Sequence, residues 1–142
     1  RDHKLRAALI GSSFWSVYAA DLKELAISII AMPKKEGDFP VYMDELVACH
    51  KGGIDVYFAG ETGTQIRATA SLAVRHGMDQ NWARFAISSG HTKLFPECEG
   101  KVGFKEGESA DFLVWSDDPL NLSSTILARV RNGKVVVSEE NQ

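Results

Sequence analysis

The sequence predicts an α/β fold with a parallel sheet, followed by a small β appendix. Three observations predict it. Residues 14–75 alternate between helical and strand patterns with short connections, which calls for a parallel sheet with right-handed crossovers. The stretch 54–64, IDVYFAGETGT, reads as a short buried strand that breaks at Gly60, places Glu61 in the break, and breaks again at Gly63 before a helix. That arrangement sets a side chain at the C-terminal rim of an α/β sheet or barrel. From residue 101 the pattern changes to short strands, and Asn132-Gly133 between two of them is a strong hairpin signal.

Taken in order, residues 2–10 read as a helix with Leu5, Ala8 and Leu9 on one face, ended by Gly11, with Ser12 or Ser13 capping the next element. Residues 14–25 form a helix whose stripe is Trp15, Tyr18, Ala19, Leu22 and Leu25. The apolar run 26–32 suits a buried parallel strand, stopped by Pro33. A polar loop at 34–39 leads to a helix at 41–51 that starts at Pro40 and ends at Gly52 and Gly53. The strand at 55–59 follows.

Beyond it, residues 65–75 form a helix with Ile66, Thr69, Ala70 and Ala73 inward and Gly77 at its end. Asp79 caps a further helix at 80–88, and 91–99 is irregular or a short helical turn broken at Pro96. Residues 112–115 make a strand buried on at least one face. Asp117-Asp118-Pro119 makes a turn, and strands at 125–130 and 134–137 flank the hairpin.

With 142 residues the chain suits one domain, or one lobe plus an appendage. A net charge of −3 offers no basic footprint, which argues against a nucleic-acid partner. No apolar run approaches the roughly 20 residues of a membrane span, and no signal peptide is visible. Cys49 and Cys98 have neither metal nor redox spacing, so they read as two reduced thiols of a cytoplasmic protein. The chain opens at Arg1 rather than Met, in helical pattern, which suggests part of a longer product.

Two further runs carry a family resemblance. One is SLAVRHGMDQNWARFAISSGHTKLF, residues 71–95. The other is KVGFKEGESADFLVWSDDPL, residues 101–120, followed by VRNGKVV; it places Gly103, Gly107, Ala110, Asp111, Pro119 and Gly133 in order. Together with the strand and acidic residue of 54–61, residues 54–137 resemble the C-terminal part of the amidohydrolase superfamily, in its imidazolonepropionase-like branch. The motif residues have structural uses of their own. Glycines 103 and 107 permit tight turns, and Asp111 can bond nearby backbone amides.

The resemblance implies the C-terminal part of a TIM-like (β/α)8 barrel at residues 1–97 and, at 98–142, C-terminal strands of the small β-sandwich that accompanies it. It also implies one or two divalent metals, often zinc, that activate water against a C–N or C–O group. Family ligands include a His-x-His pair, further histidines, a carboxylate or modified lysine, and an Asp after the last strand that binds metal and shuttles the proton. This chain has no His-x-His, and His3, His50, His76 and His91 are never within two residues of each other. His50 and His76 each precede a glycine at a helix end and read as partners of the helix dipole. His91 reads as structural or exposed, and His3 lies on an exposed helix face.

Glu61 falls close to the last-strand Asp but is one methylene longer. Three readings stay open: a catalytic acid/base or metal ligand, a rim residue of a degenerated metal site, or a carboxylate favouring the next helix N-terminus. Asp55 reads as structural, Asp117 and Asp118 belong to a turn, and the loop with Lys34, Lys35 and Glu36, which leaves its strand at the same rim, reads as solvated or as a substrate contact.

A complete barrel needs about 250 residues, and a partial one exposes strand edges and apolar faces. The expectation is therefore a fragment of a larger product, an oligomer, or a chain of low stability alone. Two functions follow: part of a metal-dependent amidohydrolase acting on a small, cyclic or linear amide, or a catalytically degenerate remnant serving as a binding or assembly module. Its partners would be a small-molecule substrate and the remainder of the barrel or further copies, with no membrane.

Overall fold

The computed structural model describes residues 7–11, 15–33, 42–95, 97, 106–107 and 110–136. They form a mixed α/β structure with two three-stranded sheets. The first is parallel, in the order β1 (Ala8–Gly11), β2 (Ser28–Ala31), β3 (Val56–Phe58). The second is antiparallel, β4 (Phe112–Trp115), β5 (Ile126–Arg131) and β6 (Lys134–Val136).

The first strand corrects the expected helix over 2–10. Ala8–Gly11 pairs in register with Ser28–Ala31, and Ser28 N donates to Ala7 O at 3.1 Å. The three- and four-residue spacing of Leu5, Ala8 and Leu9 imitates a helical face. The neighbouring strand offers the backbone a ladder that local periodicity does not reveal. Residues 1–6 and the cap expected at Ser12 or Ser13 lie outside the described residues.

A 3₁₀ turn at Trp15–Tyr18 runs into α1 (Ala19–Glu24). Of the expected stripe, Leu22 is buried, but Tyr18 and Leu25 are exposed. The helix is too short for a full stripe to reach the core. Ala26 turns the chain with φ 53°, a left-handed conformation that costs an alanine energy, so the strand begins at Ser28. Its Ile29 and Ala31 are fully buried between the sheet and its helices.

The expected loop at 34–39 and the helix start at Pro40 lie outside the described residues. Helix α2 (Met43–Lys51) buries Met43, Leu46, Val47 and Cys49. Asp44 and Glu45 in its first turn and His50 and Lys51 in its last suit the helix dipole. Gly53, with φ 92°, makes the left-handed exit; Gly52 stays right-handed. All three residues of β3 are buried.

Helix α3 (Gly63–Arg75) starts two residues earlier than expected and buries Thr69, Ala70, Ser71 and Ala73. Helix α4 (Gln80–Ile87) is capped as expected: the Asp79 carboxylate accepts from Trp82 N at 2.7 Å. Gly90 then brings the chain hard against α4, since a Cβ there would stand 2.8 Å from Ala86 Cα. The short α5 (His91–Leu94) follows. Fully burying side chains such as Ile29, Leu46 and Val56 contributes on the order of 1.5–3 kcal/mol each.

The antiparallel sheet turns at Asn132 and Gly133, with φ 48° and 72°, the signs of a type I′ hairpin. Asp111 is used across the sheet rather than in a local turn: its Oδ1 accepts from Asn132 N at 2.6 Å. The expected buried face of β4 is absent, because Leu113 is 42% and Val114 39% exposed. Three described strands have no second layer over both faces.

Four side chains fasten the loop between β4 and β5 onto α3 and α4. Arg67 donates to Pro119 O at 2.7 Å, Asn121 O at 2.9 Å and Ser124 Oγ at 2.9 Å, with its guanidinium 4.2 Å from the Trp115 ring centroid. Ser71 Oγ donates to Leu120 O at 2.5 Å. Arg84 and Gln80 both donate to the Asp118 carboxylate.

Candidate functional site

The parallel strands end together at Gly11, Ala31 and Phe58. The ladder runs one residue past β3, where Ala59 N donates to Ala31 O at 2.9 Å. The chain then leaves the sheet through Gly60 and reaches Glu61 in an exposed bend. Gly60 fits because a Cβ would lie 3.1 Å from Gln65 Cβ and 3.3 Å from Ile66 Cγ1, so a side chain would force those two side chains to give by a few tenths of an ångström.

Thr62, rather than Glu61, is the N-cap of α3: its Oγ1 accepts from Gln65 N at 3.2 Å. Gln65 answers with its side chain, whose Oε1 accepts from Glu61 N at 2.8 Å. This reciprocal arrangement is a capping-box variant shifted by one residue. It fixes the backbone on both sides of Glu61 and leaves the carboxylate in solvent. Among the described residues that carboxylate has no hydrogen-bond or ion-pair partner.

The other candidates lie elsewhere. Asp55, at the far end of β3, accepts from Tyr57 Oη at 3.3 Å and pairs with Lys93 Nζ at 3.5 Å. His50 packs on Trp82 with ring centroids 5.2 Å apart. His76, the C-cap of α3, meets Asp44 at 2.7 Å through Nδ1. His91 Nδ1 lies 2.9 Å from Ser88 O. His3, Cys98, Gly103 and the loop with Lys34, Lys35 and Glu36 are outside the described residues. Cys49 is buried, and burial, helped by Glu45, pushes its thiol above the ordinary range, away from a reactive thiolate.

The Asp117-Asp118 turn does more than turn. The side-chain hydrogen bonds from Arg84 draw the Asp118 carboxyl below its usual range against the opposing effect of burial. The Asn121 side chain does the same for Asp117. Arg84 is raised in return by its hydrogen bond to Asp118. Sequence reading missed Arg67, Ser71 and Arg84 because their partners stand 34 to 57 residues away. An open depression of about 360 Å³ lies on the second sheet, lined by Asp111, Leu113, Arg129 and Arg131 among others.

A parallel sheet, a carboxylate at its C-terminal rim, a helix pair and an antiparallel appendix make a specific combination to compare with known folds. No family model matches the sequence, and no curated protein matches it. Among solved structures the chain is similar to an amidohydrolase from Thermotoga maritima MSB8, with a TM-score of 0.61 and 15% sequence identity. The fold is amidohydrolase-like. The superposition covers 94% of this chain and 44% of the Thermotoga chain, so the chain spans less than half the length of that protein.

An amidohydrolase-like fold raises the question of a divalent metal. Among the described residues no three His, Cys, Asp or Glu side chains stand close enough together to hold one. The three described histidines are engaged with Trp82, Asp44 and Ser88, away from Glu61. These residues do not fit a metal by themselves. Among them, too, no helix is long and apolar enough to cross a membrane.

Proposed function

We propose that this chain is part of an amidohydrolase-like hydrolase of the imidazolonepropionase-like branch. In this reading residues 1–97 belong to a TIM-like barrel and 98–142 to its small β-sandwich. The substrate is a small amide, cyclic or linear, split at a non-peptide C–N bond. The observation that carries the reading is the position of Glu61: a solvent-facing carboxylate on a fixed backbone, just past the C-terminal ends of parallel strands. Open α/β sheets and barrels bind ligands at that rim.

Glu61 would act there as the acid/base, taking a proton from the attacking water and returning it to the leaving nitrogen. Zinc or another divalent ion belongs to the reading through the family resemblance, with donors beyond the described residues. The buried free thiol of Cys49 supports a reducing, cytoplasmic compartment, and the net charge of −3 speaks against nucleic acid.

A catalytically degenerate binding or assembly module on the same fold is the second reading. It is favoured by the replacement of the family's Asp by Glu61 and by the scattered engagement of the described histidines. Metal analysis of the purified protein, with turnover of a panel of cyclic and linear amides, separates the two. Bound zinc and an activity lost in Glu61→Gln support the hydrolase. Neither metal nor turnover, with the substituted protein unchanged, leaves the module.

A further inference from the structure

In a parallel ladder, alternate residues turn their N–H and C=O groups to the same neighbour. On β3 the residues bonded to β2 are Asp55, whose O accepts from Ile29 N at 2.9 Å, and Ala59, whose N donates to Ala31 O at 2.9 Å. Tyr57, midway between them, shares that orientation. Val56 and Phe58 therefore direct their backbone groups to the outer edge of the sheet.

At that edge a side chain stands where a strand would pair. Trp82, on α4, donates its indole Nε1–H to Val56 O at 2.8 Å. The ring is wedged in place by His50, Tyr57 and Phe85, at centroid distances of 5.2, 6.0 and 5.3 Å, and Lys93 Nζ lies 4.9 Å from its centroid. Val56 itself is fully buried.

We propose that Trp82 closes the outer edge of β3 to strand pairing at Val56. A strand that closed a barrel against β3 has to begin its pairing beyond Val56, from Phe58 onward. The opposite edge, β1, has no such guard among the described residues: Ile10 lies on it 67% exposed. An open strand edge is a template for association, and on β3 the indole occupies the Val56 acceptor of that template.

Sedimentation velocity over a concentration series tests this, with Ile10→Lys as the parent so that the β1 edge is blunted. Trp82→Phe keeps a ring and deletes the N–H. Phe85→Leu disturbs the same aromatic cluster and leaves the indole in place. The expected result is stronger association, at least several-fold, for Trp82→Phe alone. Equal association of the two variants, or none in either, overturns the proposal. Should Trp82→Phe fail to fold, hydrogen exchange of the unsubstituted protein decides: the indole proton of Trp82 is expected to be protected about as well as the Ala59 amide. An indole proton exchanging at the rate of open solvent overturns it.

Discussion

Arg84 and Asp118 meet in a two-pronged contact, with Nη2 to Oδ2 at 2.6 Å and Nε to Oδ1 at 3.2 Å. The pair ties α4 to the loop between β4 and β5, and Asp118 also accepts from Gln80 Nε2 and Leu120 N. A carboxylate with four donors is held in its charged form.

The pH dependence follows from the sign of that effect. The Asp118 carboxyl is lowered in the folded protein, against an ordinary value of about 3.9. Its contribution to stability is therefore complete above about pH 4 and is lost as pH falls through the lower folded value. Urea midpoints measured from pH 6 down to pH 2 should fall steeply in this acid window. In Asp118→Asn the fall should be shallower, from a lower starting midpoint at pH 6.

Thr62→Ala should remove the α3 cap and cost about 0.5–2 kcal/mol in urea unfolding. Because Gln65 and Thr62 bracket Glu61, amide exchange at residues 61–65 should rise with it. An unchanged exchange pattern there would mean that the cap does not position Glu61.

Two glycines should respond in opposite directions to alanine. At Gly90 the new Cβ meets Ala86 Cα at 2.8 Å and Phe85 O at 3.0 Å, so Gly90→Ala should cost about 1–3 kcal/mol through overpacking. At Gly63, in the first turn of α3, nothing lies within 4 Å, and Gly63→Ala should stabilise by about 0.4–1 kcal/mol by restricting the unfolded chain. Thermal unfolding of both proteins checks the pair.

Arg67→Lys should loosen the second sheet from α3. A lysine carries one charged head where the guanidinium fork reaches Pro119, Asn121 and Ser124 and lies over Trp115. A loss of about 1–3 kcal/mol is expected, with faster amide exchange at residues 119–125 and little change in β3.

Glu61→Gln should leave stability within about 0.5 kcal/mol, since the carboxylate is exposed and unpartnered among the described residues. Any amide hydrolysis found should fall by a hundredfold or more, the scale of a lost acid/base group. A stable protein with undiminished turnover would remove Glu61 from the chemistry.

Local signals decided much of the fold. Helix α3 and its glycine exit, the Asp79 cap of α4, the strands β2 and β3 and the Asn132-Gly133 hairpin were all legible, because caps, turns and periodicity act within a few residues. So was the position of Glu61, which needs only a strand, two glycines and a helix start. Tertiary structure decided the rest. It made a strand of Ala8–Gly11 by offering β2 as a partner. It recruited Arg67 and Arg84 to acceptors far along the chain and set the Trp82 indole on Val56 O. Each of these depends on groups remote in sequence meeting at hydrogen-bond distance, and that is information a local pattern does not contain.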